Sequence, residues 1–446
     1  MEWPGSDSRS SARRGPARPG ARRFTALESA AVRRCRRGPG IILSSKAIRS
    51  IGAALAAFAG VALAAGRGAP PAAIGTWEPA SVTVAGAKES GAPGTFSIRV
   101  AGATRTFELA LASNDRLLRR LADDERADLA AQGVRIAHGG IPGSANSWAR
   151  VARVGGHWAG AVFDGRELWL FDPVERVAGM LAGPTGAGTR TVLYRAADAR
   201  LPGPIDPPLK SGLANLAAQD VARTKGGAPD RELELAVWAD PRYGEIHGPD
   251  GMAFALARLN VVDGIFSAQL GVRIVMSRYA LITDGTWPVH SFGDILLGRF
   301  AEFVNGPPAQ PKGDLNHLLT GRDICLWDGM GNCVPGSQAT AGIATAIGRL
   351  CHPTDAYALS EAYANTQVLV LITAHELGHQ FGAPHDGEQG SACEFQPLDN
   401  WLMKAAIDGN DSTFSPCSLN QVSDDIAAAA CLRVLETPLF ADGFEG

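Results

Sequence analysis

The stretch from His375 to Asp386 reads His-Glu-Leu-Gly-His-Gln-Phe-Gly-Ala-Pro-His-Asp, and it constrains the chain more than any other segment. On a helix, His375 and His379 are four residues apart and stack on one face, so both imidazoles can reach a single metal ion. Gly382 is placed to end that helix in a conformation costly for other residues, swinging the chain back so that His385 becomes a third ligand. Glu376 lies beside the two helical histidines, where a carboxylate can take a proton from metal-held water. Three protein ligands leave a fourth position open, the arrangement of a catalytic rather than a structural zinc site. The chain has 9 His, three of them in this stretch. A surface helix with unrelated histidines has no reason to place the glycine and the third ligand at these offsets.

Around this segment the chain has the composition of a globular protein, 46% hydrophobic and 20% charged, and is long enough for two or three domains. Its charge is uneven. Residues 1–64 carry 12 of the 42 Lys and Arg but only 3 of the 45 Asp and Glu, so the remainder is distinctly acidic. That balance argues against nucleic acid or an anionic membrane as partner. The apolar run Ile51–Ala65 follows Lys46 and Arg49 and contains Ala62-Leu63-Ala64, a small-x-small cleavage pattern. It reads as a signal peptide over 46–65, with an uncleaved anchor as the alternative. Residues 1–45, rich in Arg, Pro, Gly and Ser, read either as a start assigned too far upstream or as a disordered extension. No other segment has the length to span a membrane, so the expected product is secreted, extracellular or periplasmic in transit, and monomeric.

Cysteine usage agrees with that compartment. Cys35 lies in the part expected to be lost, and the other six (Cys325, Cys333, Cys351, Cys393, Cys417 and Cys431) all fall in the last third. An even number in a secreted domain implies disulfides, with many pairings open.

Residues 66–229 read as a β-rich domain. Trp148–Val154, His157–Phe163 and Glu167–Pro173 are short runs with partial alternation, separated by Gly155-Gly156 and Asp164-Gly165-Arg166, which are hairpin chemistry. Trp148, Trp158 and Trp169 read as sheet packing. Two histidines of this domain, His138 and His157, read as surface residues. A Pro- and Gly-rich stretch follows, and processing is expected near Lys225–Asp230. Residues 230–435 read as α/β: a strand over 232–240, a helix over 252–270, a strand over 271–276, and a helix from about Thr366 that carries the metal motif. His247, His290, His317 and His352 have no ligand spacing and read as surface or hydrogen-bonded. The acidic, aromatic end over 436–446 reads as a sorting or docking signal or as a disordered tail.

The pattern from His375 through His385 resembles that of the metzincin zinc metalloproteases, and Asp386 directly after it resembles their adamalysin/reprolysin branch, which includes the snake-venom and ADAM endopeptidases. Other segments resemble the same branch in order: Glu232–Asp240 its first strand, Asp314–Gly321 its D-x-x-x-L-L-T-G segment, Gly342–Cys351 its substrate-edge strand, and Phe414-Ser-Pro-Cys-Ser418 its F-S-x-C-S run. The sequence G-I-P-G-S…W-A-G-A-V-F-D-G…L-F-D-P is similar to the propeptides that precede such domains.

The resemblance implies an α/β metzincin domain, a twisted mixed sheet with an active-site helix and a C-terminal subdomain, behind a β-rich prodomain. It implies one catalytic zinc on His375, His379 and His385, with Glu376 as general base. It also implies a Met-turn at Met403, whose bland alternative is an ordinary core methionine, and the pairings Cys351–Cys431, Cys393–Cys417 and, by remainder, Cys325–Cys333. A calcium ion at Glu234 and Asp314 is a further implication, weakened because Val434 stands where the branch has asparagine. The expected activity is hydrolysis of protein or peptide substrates by a proenzyme whose own propeptide is a partner. The alternatives are another metzincin branch, or a zinc-containing toxin-like module that binds protein without cleaving it. Residues 66–230 contain no Cys, so a thiolate placed on zinc cannot account for latency.

Overall fold

The computed structural model describes residues 74–86, 95–200, 230–283, 285, 287–288, 290–333, 340–362, 366–406 and 412–435. The expected extension, signal peptide, processing site near 225–229 and tail over 436–446 lie outside these residues.

Eight antiparallel strands form the first architecture: β1 (Glu78–Ala85), β2 (Phe96–Ala101), β3 (Thr106–Ser113), β4 (Arg135–Gly140), β5 (Trp148–Val154), β6 (His157–Phe163), β7 (Leu168–Pro173) and β8 (Thr191–Arg195). Each pairs with the next, and β1 pairs with β8, so the sheet closes into a barrel with no free edge. A helix, α1 (Asp123–Ala131), joins β3 to β4. Ile98, Val100, Phe107, Leu109, Val151, Val162, Phe171 and Leu193 fill the interior.

The strands divide into two kinds. On β1 and β3 buried and exposed positions alternate, as expected where one face meets water. On β5 nearly every residue is buried, because Trp148, Ala152 and Val154 face outward into a second core that continues into the α/β region. This explains why the alternation in β5–β7 is only partial. Trp148 is therefore a residue of this contact as well as of the sheet, while Trp158 and Trp169 pack on Phe96 and Phe107. His157 is exposed, but His138 is half-buried, and burial lowers its pKa.

The second sheet has the order β10-β9-β11-β13-β12. Strands β9 (Arg231–Ala239), β10 (Val272–Leu281), β11 (Leu315–Thr320) and β13 (Tyr357–Glu361) are parallel; β12 (Gly342–Ala344) is an antiparallel edge, and β14 (Arg433–Val434) pairs with the start of β9. Helix α2 (Gly251–Gln269) crosses from β9 to β10. Helices α3 (Gly293–Asn305), α4 (Val370–Gln380) and α5 (Pro416–Ala428) complete the region.

Helix α2 is buried on nearly every side, its apolar residues spread around the circumference with Arg258, Asn260 and Asp263 buried among them. Among the described residues, the helical run Pro241–Gln269 is the one long and apolar enough to cross a membrane, and most of it is buried within the fold. Two of its faces can be followed. Arg258 donates to Leu369 O at 2.9 Å, and Phe266 meets Phe381 and Phe414 edge-on. Asn260, Asp263 and Gly264, spaced i, i+3, i+4, meet the barrel.

Candidate metal centre

Helix α4 is entered through a single 3₁₀ turn (Gln367–Leu369), at whose start the Thr366 side chain accepts from Val368 N. Every residue of α4 is buried. Its second half carries His375 and, one turn later, His379. The chain then reverses at Gly382, which has φ +101° and whose missing side chain leaves room for the Asp425 carboxylate of α5. A Cβ at Gly382 would collide with that carboxylate, so both backbone and space require glycine. The reversal brings His385 beside the first two histidines.

The three Nε2 atoms form a triangle with sides of 3.0, 3.2 and 3.3 Å. Each ring is oriented from behind. His375 Nδ1 donates to Leu402 O at 2.7 Å, His379 Nδ1 to Ala383 O at 2.7 Å, and His385 Nδ1 to the Glu388 carboxylate at 2.8 Å. Carbonyls and carboxylates can only accept, so Nδ1 carries the proton in each ring and Nε2 presents its lone pair. Lone pairs converging at this range repel one another unless a cation stands among them. Zinc–nitrogen bonds of about 2.0–2.1 Å at tetrahedral angles place ligand nitrogens roughly 3.3–3.4 Å apart, so these residues fit that ion. Among the described residues this is the one cluster of three or more His, Cys, Asp or Glu placed to hold a metal.

Glu376 is fully buried, and its carboxylate lies against the backbone of Gly342 on edge strand β12, where any larger residue would displace it. Met403 is fully buried, with its sulfur against Gly378, between the two helical histidines; a Cβ there would stand 2.6 Å from that sulfur. Its neighbourhood is tied to the site by the backbone: Leu402 O orients His375, and Met403 O accepts from Asp386 N at 2.8 Å. Asp386 in turn accepts from Ser415 Oγ at 2.6 Å, tying the third-ligand turn to the start of α5.

The three disulfides in the structure are Cys325–Cys333, Cys351–Cys431 and Cys393–Cys417. Glu234 and Asp314 stand together, with Asp314 accepting from Glu234 N at 2.8 Å, but Glu234 also pairs with Arg120 of the barrel at 2.7 Å. A guanidinium thus supplies positive charge where the sequence suggested calcium. His247 and His317 are buried and hydrogen-bonded, to Ala362 O and Ser360 Oγ, and His352 is half-exposed and accepts from Asp355 N.

Sequence reasoning missed Glu388 as the partner of His385, although an acid three positions after a ligand is a readable signal. It also missed Asp425 behind Gly382, and the close approach of Gly342 to Glu376; neither has a local signal.

Residues 253–386 match the family described as Metallo-peptidase family M12B Reprolysin-like. Among curated proteins, "A disintegrin and metalloproteinase with thrombospondin motifs 12" of Mus musculus is 29% identical over 264 residues, covering 52% of this chain and 16% of that protein. "A disintegrin and metalloproteinase with thrombospondin motifs 16" of Homo sapiens is 26% identical over 216 residues, covering 46% and 17%. The chain thus spans about a sixth of the length of these relatives. The solved structure of metalloproteinase-II from Bacteroides fragilis aligns with TM-score 0.43 at 14% identity, over 74% of this chain and 91% of that one. The family match runs from within helix α2 to the residue after the third histidine, and over that span the α/β region of this chain is similar to the reprolysin-like metallopeptidases.

Proposed function

We propose that the chain is a secreted zinc-dependent endopeptidase, made as a precursor with the barrel preceding the α/β region and processed near Lys225–Asp230. The observation that carries this reading is the convergence of three Nε2 atoms, each ring fixed through Nδ1, on a helix that also bears Glu376. Zinc bound there supplies a Lewis acid for the peptide carbonyl and lowers the pKa of a water towards about 7. His375, His379 and His385 hold the ion. Glu376 takes a proton from the attacking water and passes it to the departing amine. Its burial against Gly342 keeps the carboxylate on the side of the helix that faces the edge strand. An extended substrate would lie along β12, adding a strand to that edge. Met403 forms the apolar floor beneath the ligand-bearing turn.

The rival reading, a zinc-containing module that binds protein without cleaving it, leaves Glu376 and its fitted glycine without a role. Cleavage of casein by the processed chain, abolished by a chelator and restored by zinc, is the expected outcome. A processed chain with one zinc bound and no cleavage of any protein substrate would favour the rival.

A further inference from the structure

The barrel meets the α/β region through groups that are poorly suited to exposure. Asn260, fully buried on α2, donates to Ala137 O and Val151 O of the barrel at 3.1 Å each and accepts from Asn114 at 2.8 Å. Three residues on, Asp263 is bound by Arg150 through two nitrogens, at 3.0 and 3.1 Å, with both residues buried. Gly264 lies directly under Trp148. Arg119 and Arg120 pair with Glu232 and Glu234 at the start of β9, and Glu232 is itself fully buried. Withdrawing the barrel would strand a buried amide and two buried carboxylates, and would open an apolar face of α2 to water. Unpaired buried charges are costly, and so is each large apolar side chain uncovered to water.

A second contact reaches the metal-bearing helix. Asp172, on β7 and fully buried, accepts from Gln367 N at 3.2 Å and from Tyr194 OH at 2.7 Å; Tyr194 OH also lies 3.2 Å from Thr366 Oγ1. The first N–H groups of a helix have no partner within it. Thr366 serves Val368 N, and Asp172 of the other domain serves Gln367 N.

From these contacts we propose that the barrel is a resident part of the metallopeptidase scaffold: it stays bound to the α/β region after the connection over residues 201–229 is cut, and its Asp172 is a positioning residue for the metal-bearing helix. The described contacts run to α2, β9 and the start of α4, while the histidines sit at the opposite end of α4. Retention therefore does not require the barrel to remain across the zinc ligands.

The test places a site-specific protease sequence within residues 211–220 of the full chain and cuts it. The expected result is co-elution of the two fragments in gel filtration, with zinc retained against a chelator as in the uncut chain. Separation of the fragments, with the α/β fragment keeping its zinc and its melting temperature, would overturn the proposal. For the positioning role, Asp172→Ala should speed zinc loss to the chelator on the order of tenfold. Asp172→Asn, which keeps an acceptor oxygen for Gln367 N, should restore most of the difference. Equal zinc loss from all three proteins would remove that role. Only these zinc arms rest on the metallopeptidase reading; co-elution tests the docking by itself.

Discussion

The two ends of helix α4 are built in different ways. Its C-terminal end is made almost entirely from one short run of chain: His375, His379, the Gly382 reversal and His385 lie within eleven residues, and Glu388, which orients His385, is three further on. Its N-terminal end is held from far away in sequence. Asp172 is 195 positions before Gln367, Arg258 is 111 before Leu369, and Tyr194 is 172 before Thr366. Chemistry that must be exact in geometry is encoded locally, while the support that keeps the helix in place is assembled from three other elements. A change at the first end should abolish the site and leave the fold standing; a change at the second should loosen the fold and reach the site only through it.

The largest effect expected is at the ligand end. His379→Ala removes one corner of the nitrogen triangle, and activity should fall by at least about 10³-fold with loss of bound zinc. Metal content measured beside peptide cleavage checks this, and an active, zinc-loaded variant would break the comparison. Gly382→Ala comes next. Strain at positive φ together with the clash against Asp425 should cost about 2–4 kcal/mol, read as a lower denaturation midpoint together with weaker zinc retention.

The disulfides offer a graded series. Their partners are 80, 24 and 8 residues apart, and loop entropy predicts roughly 4.5, 3.5 and 2.5 kcal/mol respectively for their removal. Serine pairs at Cys351/Cys431, Cys393/Cys417 and Cys325/Cys333 should therefore lower stability in that order. Of the three, the Cys393/Cys417 pair should disturb zinc most, because it braces the loop running from His385 to the start of α5. An inverted stability order would show that strain or packing, not chain entropy, dominates.

The smallest effect is one of pH, at the supporting end. Burial lowers the pKa of His247 to about 4 and of His317 to about 3, below the usual 6.5. Both donate or accept as neutral rings: His247 to Ala362 O, and His317 to Ser360, which continues to Thr373 of α4. With folded pKa values depressed, their contribution is complete above pH 6.5 and is lost as pH falls towards 4 and then 3. Asp172 and Asp314, pushed up to about 6 by burial, act in the opposite direction as pH falls through that value. From pH 7 to 5 the two histidines should lose roughly 3–4 kcal/mol and the two carboxylates return roughly 2–3, a net loss on the order of 1 kcal/mol. A His247→Gln, His317→Gln double variant should remove the loss and leave the opposite, carboxylate-driven slope in denaturant titrations at the two pH values. An unchanged slope would place the acid sensitivity elsewhere.

The same contrast explains what the sequence made readable. The cluster of three histidines could be read as a candidate ligand set because its members are close neighbours in sequence, and β9, α2 and β10 because their apolar runs have the length of such elements. Closure of the first eight strands into a barrel was not readable. Trp148 to Val154 is buried on both faces, so the period-2 signal that would assign an inside and an outside is missing. The spread of apolar residues around α2 was a clue to a partner on each side, but nothing local to Asn260 or Asp263 names Arg150 or Asn114. Asp172 sits in a Leu-Phe-Asp-Pro run that reads as the end of a strand, and its role appears only when β7 is brought against the start of α4.

The central claim is that Glu376 acts as the base for water at a metal held by the three histidines. Its most direct test is zinc stoichiometry and casein cleavage measured together on the processed chain and on Glu376→Gln. The account predicts one zinc in both proteins, with cleavage reduced on the order of 10³-fold or more in the variant. Wild-type cleavage rates in the zinc-loaded variant would contradict it.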